Sequence, residues 1–143
     1  MITASHIDDL ELLDAWAEAE GTGVRFNFPL SAAVGTKSTS VVYFEVEPGK
    51  RLPIHTDSAE EILLILAGRG EATVGDETAP VSAGVLAVVP ALVPHGVENT
   101  GDETLRVVGF FSSNTMHAEF DEPLLPFGTR TFIVPPVEAA VPA

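Results

Sequence analysis

Residues 49–68 read GKRLPIHTDSAEEILLILAG. A glycine and a proline lead into His55, Asp57 follows two positions later, Glu60 and Glu61 come after a short polar turn, and Gly68 ends the run. Successive side chains of an extended strand point to opposite faces, so His55 and Asp57 point the same way. An imidazole and a carboxylate on one face, with a second carboxylate after a turn, are the beginnings of a metal site. The run has an echo downstream: Gly84, then Pro90, then Pro94-His95, with Asn99 four residues beyond.

Working outward, RFNF and STSVVYFEV alternate with a period of two, and further strands follow. RFNF, STSVVYFEV, EILLIL, EATVG, TAPVS, VLAVVP, GVENT, TLRVVGFF and TRTFIV all read as strands, divided by glycine and proline. In VVYFEV, Val42, Phe44 and Val46 share one face; Val41, Tyr43 and Glu45 share the other. Gly75-Asp76 and Gly101-Asp102 suit tight hairpin connections. Many short strands at near-regular spacing predict an all-β antiparallel barrel or double-sheet sandwich, and the pattern alone does not choose. Only the N-terminus departs. Residues 5–20, SHIDDLELLDAWAEAE, predict a helix: Ser5 and Asp8 suit a capping box, Ile7, Leu10, Leu13 and Ala17 form a stripe, and Gly21 stops it. Residues 112–128, SSNTMHAEFDEPLLPFG, look irregular and fit a crossing of the barrel mouth, with TRTFIV returning as an edge strand. The tail at 135–143 shows no core pattern and is expected along the surface or a neighbouring subunit.

The two histidine-bearing stretches resemble the paired motifs of the cupin superfamily. Gly49, His55, Glu61 and Gly68 match the first motif in register, with Asp57 where the second histidine usually stands. Gly84, Pro90, His95 and Asn99 match the second, with Leu92 in place of its middle glycine. The resemblance covers the central half of the chain. It implies a single-domain, jelly-roll-like β-barrel over residues 1–143, with a short N-terminal helix and a metal-binding core at 49–99. It also implies the ligand set His55, Glu61 and His95, with Glu61 preferred to Glu60. Asp57 either ligates, acts through a water, or hydrogen-bonds another ligand. Asn99 and the motif glycines read as turn residues, and His6 and His117, outside both motifs, as bystanders. Tyr43, the only tyrosine, either orients a substrate hydroxyl or packs in the core or at the barrel edge.

Two histidines and a carboxylate with open positions suit Fe(II) and oxygen chemistry, and the donor set also accepts Mn(II), Ni(II) or Zn(II). If Asp57 and Glu61 both ligate, their charges neutralise a divalent ion, which favours redox chemistry over carbonyl polarisation. Faces rich in Val, Leu, Ile and Phe imply an apolar lumen and a small apolar or aromatic ligand. The resemblance therefore implies a metal-dependent dioxygenase among several classes. The alternatives are an isomerase or lyase and a non-catalytic small-molecule-binding or sensory barrel.

Composition sets limits. The 143 residues are 45% apolar and 20% charged, enough for one core without staples. No cysteine is present, which excludes disulfides, thiolate metal sites and cysteine nucleophiles. Seven basic against 21 acidic residues give a net charge of −14, which repels nucleic-acid phosphates. That surplus fits either charge-maintained solubility or adaptation to high salt, which stability at high salt separates. No apolar run approaches a membrane span and the N-terminus lacks a basic region, so the expectation is a cytoplasmic protein. The resemblance to cupins implies pairing as a homodimer, which the apolar flanks suit.

Overall fold

Glycine and proline punctuation cuts the chain into strands that assemble as two layers. The computed structural model describes residues 1–136, and most of the tail at 135–143 lies outside them. In chain order the strands are β1 (Leu13–Ala15), β2 (Val24–Leu30), β3 (Ser40–Val46), β4 (Arg51–Asp57), β5 (Glu61–Ala67) and β6 (Arg69–Val74). They continue as β7 (Glu77–Ser82), β8 (Leu86–Val89), β9 (His95–Asn99), β10 (Leu105–Phe111), β11 (Met116–Leu124) and β12 (Thr129–Val134). All pairings between these strands are antiparallel. One six-stranded sheet runs β1-β2-β3-β10-β5-β8; the other runs β12-β11-β4-β9-β6-β7. Among the described residues no ladder joins the two sheets, so the expected barrel is realised as two open, facing sheets.

The inner faces make the core. On β3 the predicted alternation holds, with Val42, Phe44 and Val46 buried inward. On β10 Leu105, Val107 and Phe111 share that face, and Leu63 and Ile65 of β5 pack with them. Asn99 closes the turn region beneath: its amide donates to the carbonyls of Val46 and Glu103, each at 2.8 Å, and its oxygen accepts from the Gly101 amide. Gly68 joins β5 to β6 with φ of 84°, and a Cβ there would stand 2.9 Å from the Leu105 Cα. Glycine is demanded at that bend by conformation and space together.

Three expectations are corrected. Residues 5–20 form no α-helix: a 3-10 turn at Ile7–Asp9 is followed by β1, which pairs with Val24–Phe26 of β2. The turn is capped by His6, whose ring accepts from the Asp8 amide, rather than by Ser5. Ala15 and Ala17 are buried while Asp14 and Trp16 are exposed, a period of two over residues 14–17 that the helical stripe concealed. An available strand edge on β2 outweighed local helix propensity. Second, residues 116–124 are not irregular but form β11, inside the second sheet between β12 and β4. Third, Gly75-Asp76 is a two-residue hairpin turn between β6 and β7, but Gly101-Asp102 lies in a crossover from β9 in one sheet to β10 in the other.

Candidate metal centre

The site is built across both layers. β4 carries His55 and Asp57 on its inward face, β9 begins with His95, and β5 begins with Glu61 from the opposite sheet. His55 is the direct cross-strand partner of His95 on one side and of Phe120 on the other. All four polar side chains are buried, whereas Glu60, beside Glu61, is exposed.

Both imidazoles are held the same way. His55 Nδ1 lies 2.9 Å from the Pro53 carbonyl, and His95 Nδ1 lies 2.9 Å from the Val93 carbonyl. A carbonyl only accepts, so each Nδ1 carries a proton and each Nε2 is aimed into the interior. Phe120 stacks on His55 with ring centroids 4.5 Å apart and planes 19° apart, which fixes the ring's tilt.

Donor atoms of His55, Asp57 and His95 all lie within 4.8 Å of one another. His95 Nε2 is 3.0 Å from Asp57 Oδ2 and 3.6 Å from Glu61 Oε1, and His55 Nε2 is 3.7 Å from Asp57 Oδ2. The 3.0 Å pair is misaligned for a hydrogen bond, so Asp57 Oδ2 and His95 Nε2 are both buried without a partner. Two orphaned polar atoms facing each other in an apolar interior are costly unless something binds them. The donor set of two imidazoles and one carboxylate, with a second carboxylate adjoining, fits a divalent transition metal.

The surroundings bias each proton. Burial pushes His55 down to about 4, with His95 adding to the effect, so it is neutral at pH 7. Burial would lower His95 too, but the carboxylates of Asp57 and then Glu61 outweigh it and raise the group to about 10. Burial raises Glu61 to about 6, reinforced by Asp57 and opposed by His95.

Above the cluster lies a narrow cavity of about 80 Å³. Apart from the four polar residues its walls are apolar, and six phenylalanines line it: Phe26, Phe28, Phe44, Phe111, Phe120 and Phe132. β11 supplies Met116, Ala118 and Phe120, which the sequence reading missed. The signal was there, as Met116, Ala118 and Phe120 alternate with His117, Glu119 and Asp121.

Tyr43 sits on the outward face of β3, away from the cavity. Its hydroxyl donates to Glu45 at 2.5 Å and accepts from Arg106 Nε at 2.7 Å. Burial, then the Glu45 bond, raises it to about 12. His6 and His117 are exposed and line no part of the cavity.

The family model described as a cupin domain matches residues 42–111, the span that holds all four polar residues of the site. This chain belongs to the cupin superfamily. Auxin-binding protein 4 of Zea mays is 32% identical over 90 residues, covering 56% of this chain and 44% of that protein. The chain thus spans less than half the length of this curated relative. A polyketide cyclase of Streptomyces resistomycificus has a similar fold, with a TM-score of 0.63 and 21% identity over 78% of this chain and 79% of that one. The oxalate decarboxylase of Bacillus subtilis, a protein with Mn(II) centres, has a TM-score of 0.58 and 27% identity over 68% of this cupin and 27% of its own chain. No helix among the described residues is long and apolar enough to cross a membrane.

Proposed function

We propose that this cupin is a metal-dependent dioxygenase that holds a divalent ion, Fe(II) by preference, through His55, Asp57 and His95 with Glu61 beside them. The observation that carries this is the pair of Nδ1-anchored histidines whose Nε2 atoms converge on a buried carboxylate that has no other partner. The Mn(II) centres of the structurally similar decarboxylase support metal binding by such a fold. A bound ion would supply redox and Lewis-acid chemistry at the floor of the cavity.

The chain's own contribution is positioning and exclusion. The phenylalanine walls admit a small apolar or aromatic substrate and keep bulk water out. Among the described residues no Lys or Arg lines the cavity, which argues against a phosphate-bearing substrate. Glu61, with its proton affinity raised to about 6, is placed to accept a proton from substrate and return it. The same Glu61 favours the second reading, a cyclase or isomerase, because those reactions need a base next to the metal. We further propose that the chain pairs as a homodimer through the outward face of the first sheet.

Elemental analysis of protein purified without added metal, alongside His55→Ala and His95→Ala, tests the centre. Near-stoichiometric metal that vanishes in both variants is expected. No metal in the native protein and none on titration would make it a binding module instead. Oxygen uptake with small aromatic diols, with and without Fe(II), then separates the reactions. Turnover of substrate without oxygen uptake would reject the dioxygenase in favour of the cyclase or isomerase.

A further inference from the structure

Gly109 lies in the middle of β10, where a glycine weakens a strand and packs nothing. Its backbone does not require glycine: φ is not positive there, and the register irregularity of β10 against β5 falls at Arg106 and Val107 instead. What excludes a side chain is the metal-site carboxylate. A Cβ on Gly109 would overlap Glu61 Oε2, stand 3.0 Å from the Glu61 carboxyl carbon and press Val42 Cγ1 to 2.8 Å. Gly109 is paired with Val42 on β3 and Leu63 on β5, and Glu61 lies diagonally two residues on, so all four share the inward face.

We propose that Gly109 is a positioning residue of the metal site: its missing side chain forms the niche that seats Glu61 beside His95. With Oε2 in the niche, Oε1 lies 3.6 Å from His95 Nε2. Closing the niche drives the carboxylate either onto Asp57, a second negative charge, or out of the cluster. The functional half of this inference rests on the metal-binding reading above; the niche itself does not.

The test is a double-mutant cycle of wild type, Gly109→Ala, Glu61→Ala and the double variant, each read in two ways. In Mn(II) titration, Gly109→Ala is expected to weaken binding at least tenfold with Glu61 present and less than twofold in the Glu61→Ala background. In urea unfolding of metal-free protein, its loss of midpoint is expected to shrink in the same background. Equal losses in both backgrounds, or none in either, would overturn the proposal, since the glycine would then serve packing against Val42 or nothing. If Gly109→Ala alone does not fold, folding of the double variant supports the niche and its failure rejects it. Wild type that takes up no Mn(II), with the unfolding cycle still coupled, would remove the metal reading and leave the niche standing.

Discussion

Leu92 has φ of 64°, the left-handed region in which a side chain is strained, and it stands where the second motif has its middle glycine. Its amide donates to the Asp57 carbonyl at 2.8 Å, so the turn before His95 is tied to the strand that carries Asp57. That bond holds Leu92 in a conformation worth about 1–2 kcal/mol of strain. Leu92→Gly relieves it but adds about 0.4–1 kcal/mol of unfolded-state entropy. We expect a net gain of about 0.5–1 kcal/mol in urea unfolding, with no change in metal content; a loss of stability would show that the leucine packs usefully. Protonation at the residue scale is equally concrete. Metal binding needs neutral imidazoles. His55, lowered to about 4, is neutral already, whereas His95, raised to about 10, still holds its Nε2 proton at pH 7.5. Metal uptake at that pH should release close to one proton, and affinity should rise roughly tenfold per pH unit up to about 10. Calorimetry in buffers of different ionisation enthalpy counts that proton; a count of zero would mean His95 is neutral or does not ligate.

At the scale of elements, β11 shows what the sequence hides. The strands around the two motifs were legible because Val, Ile and Phe alternate cleanly between glycine turns. β11 was not, because acids occupy its outward positions and Pro123 interrupts its end, a composition that also describes a loop. The N-terminal segment failed in the opposite direction, since its acids and leucines satisfy a helical period while the open edge of β2 offered hydrogen bonds. His55, Asp57, Glu61 and His95 were visible through motif spacing, yet the spacing could not say that Glu61 arrives from the opposite sheet. Nor could it supply Phe120 or Gly109, which touch the site from strands distant in sequence. The importance of β11 is open to measurement. Phe120→Ala should cost about 3–5 kcal/mol of stability as a large-to-small core change. Phe120→Leu keeps most of the volume and should cost under about 1.5 kcal/mol. By freeing the His55 ring, Phe120→Leu should still weaken metal binding several-fold. Metal affinity unchanged in the leucine variant would show that the Pro53 carbonyl alone orients His55.

For the whole molecule, charge and apolar surface point to one contact face. The outward face of the first sheet carries two rows without a charged residue. Val41, Phe110, Ile62 and Val88 are successive cross-strand partners and form the open row, while in the next row, Tyr43, Val108, Leu64 and Leu86, the first two are buried and only Leu86 is well exposed. Leu86, Val88 and Phe110 are 68%, 56% and 43% exposed, and β8 is the edge of the sheet. Contiguous apolar surface of this kind marks an association site. Two copies, each at −14, repel over most approaches, and the uncharged rows let them meet with least repulsion. Glu45 and Arg106 border the rows, both already bonded to the hydroxyl of the buried Tyr43, so they add a polar rim and no unpaired charge. Light scattering should therefore give a dimer that tightens as salt screens the repulsion. Phe110→Glu, which adds a carboxylate to each side of a self-facing patch, should give a monomer with unchanged metal content, because Phe110 points away from the cavity. A native monomer at every salt concentration, or a Phe110→Glu variant that still pairs, would move the interface elsewhere. A dimer weakened by salt would mean that ion pairs, not the apolar rows, hold the copies together.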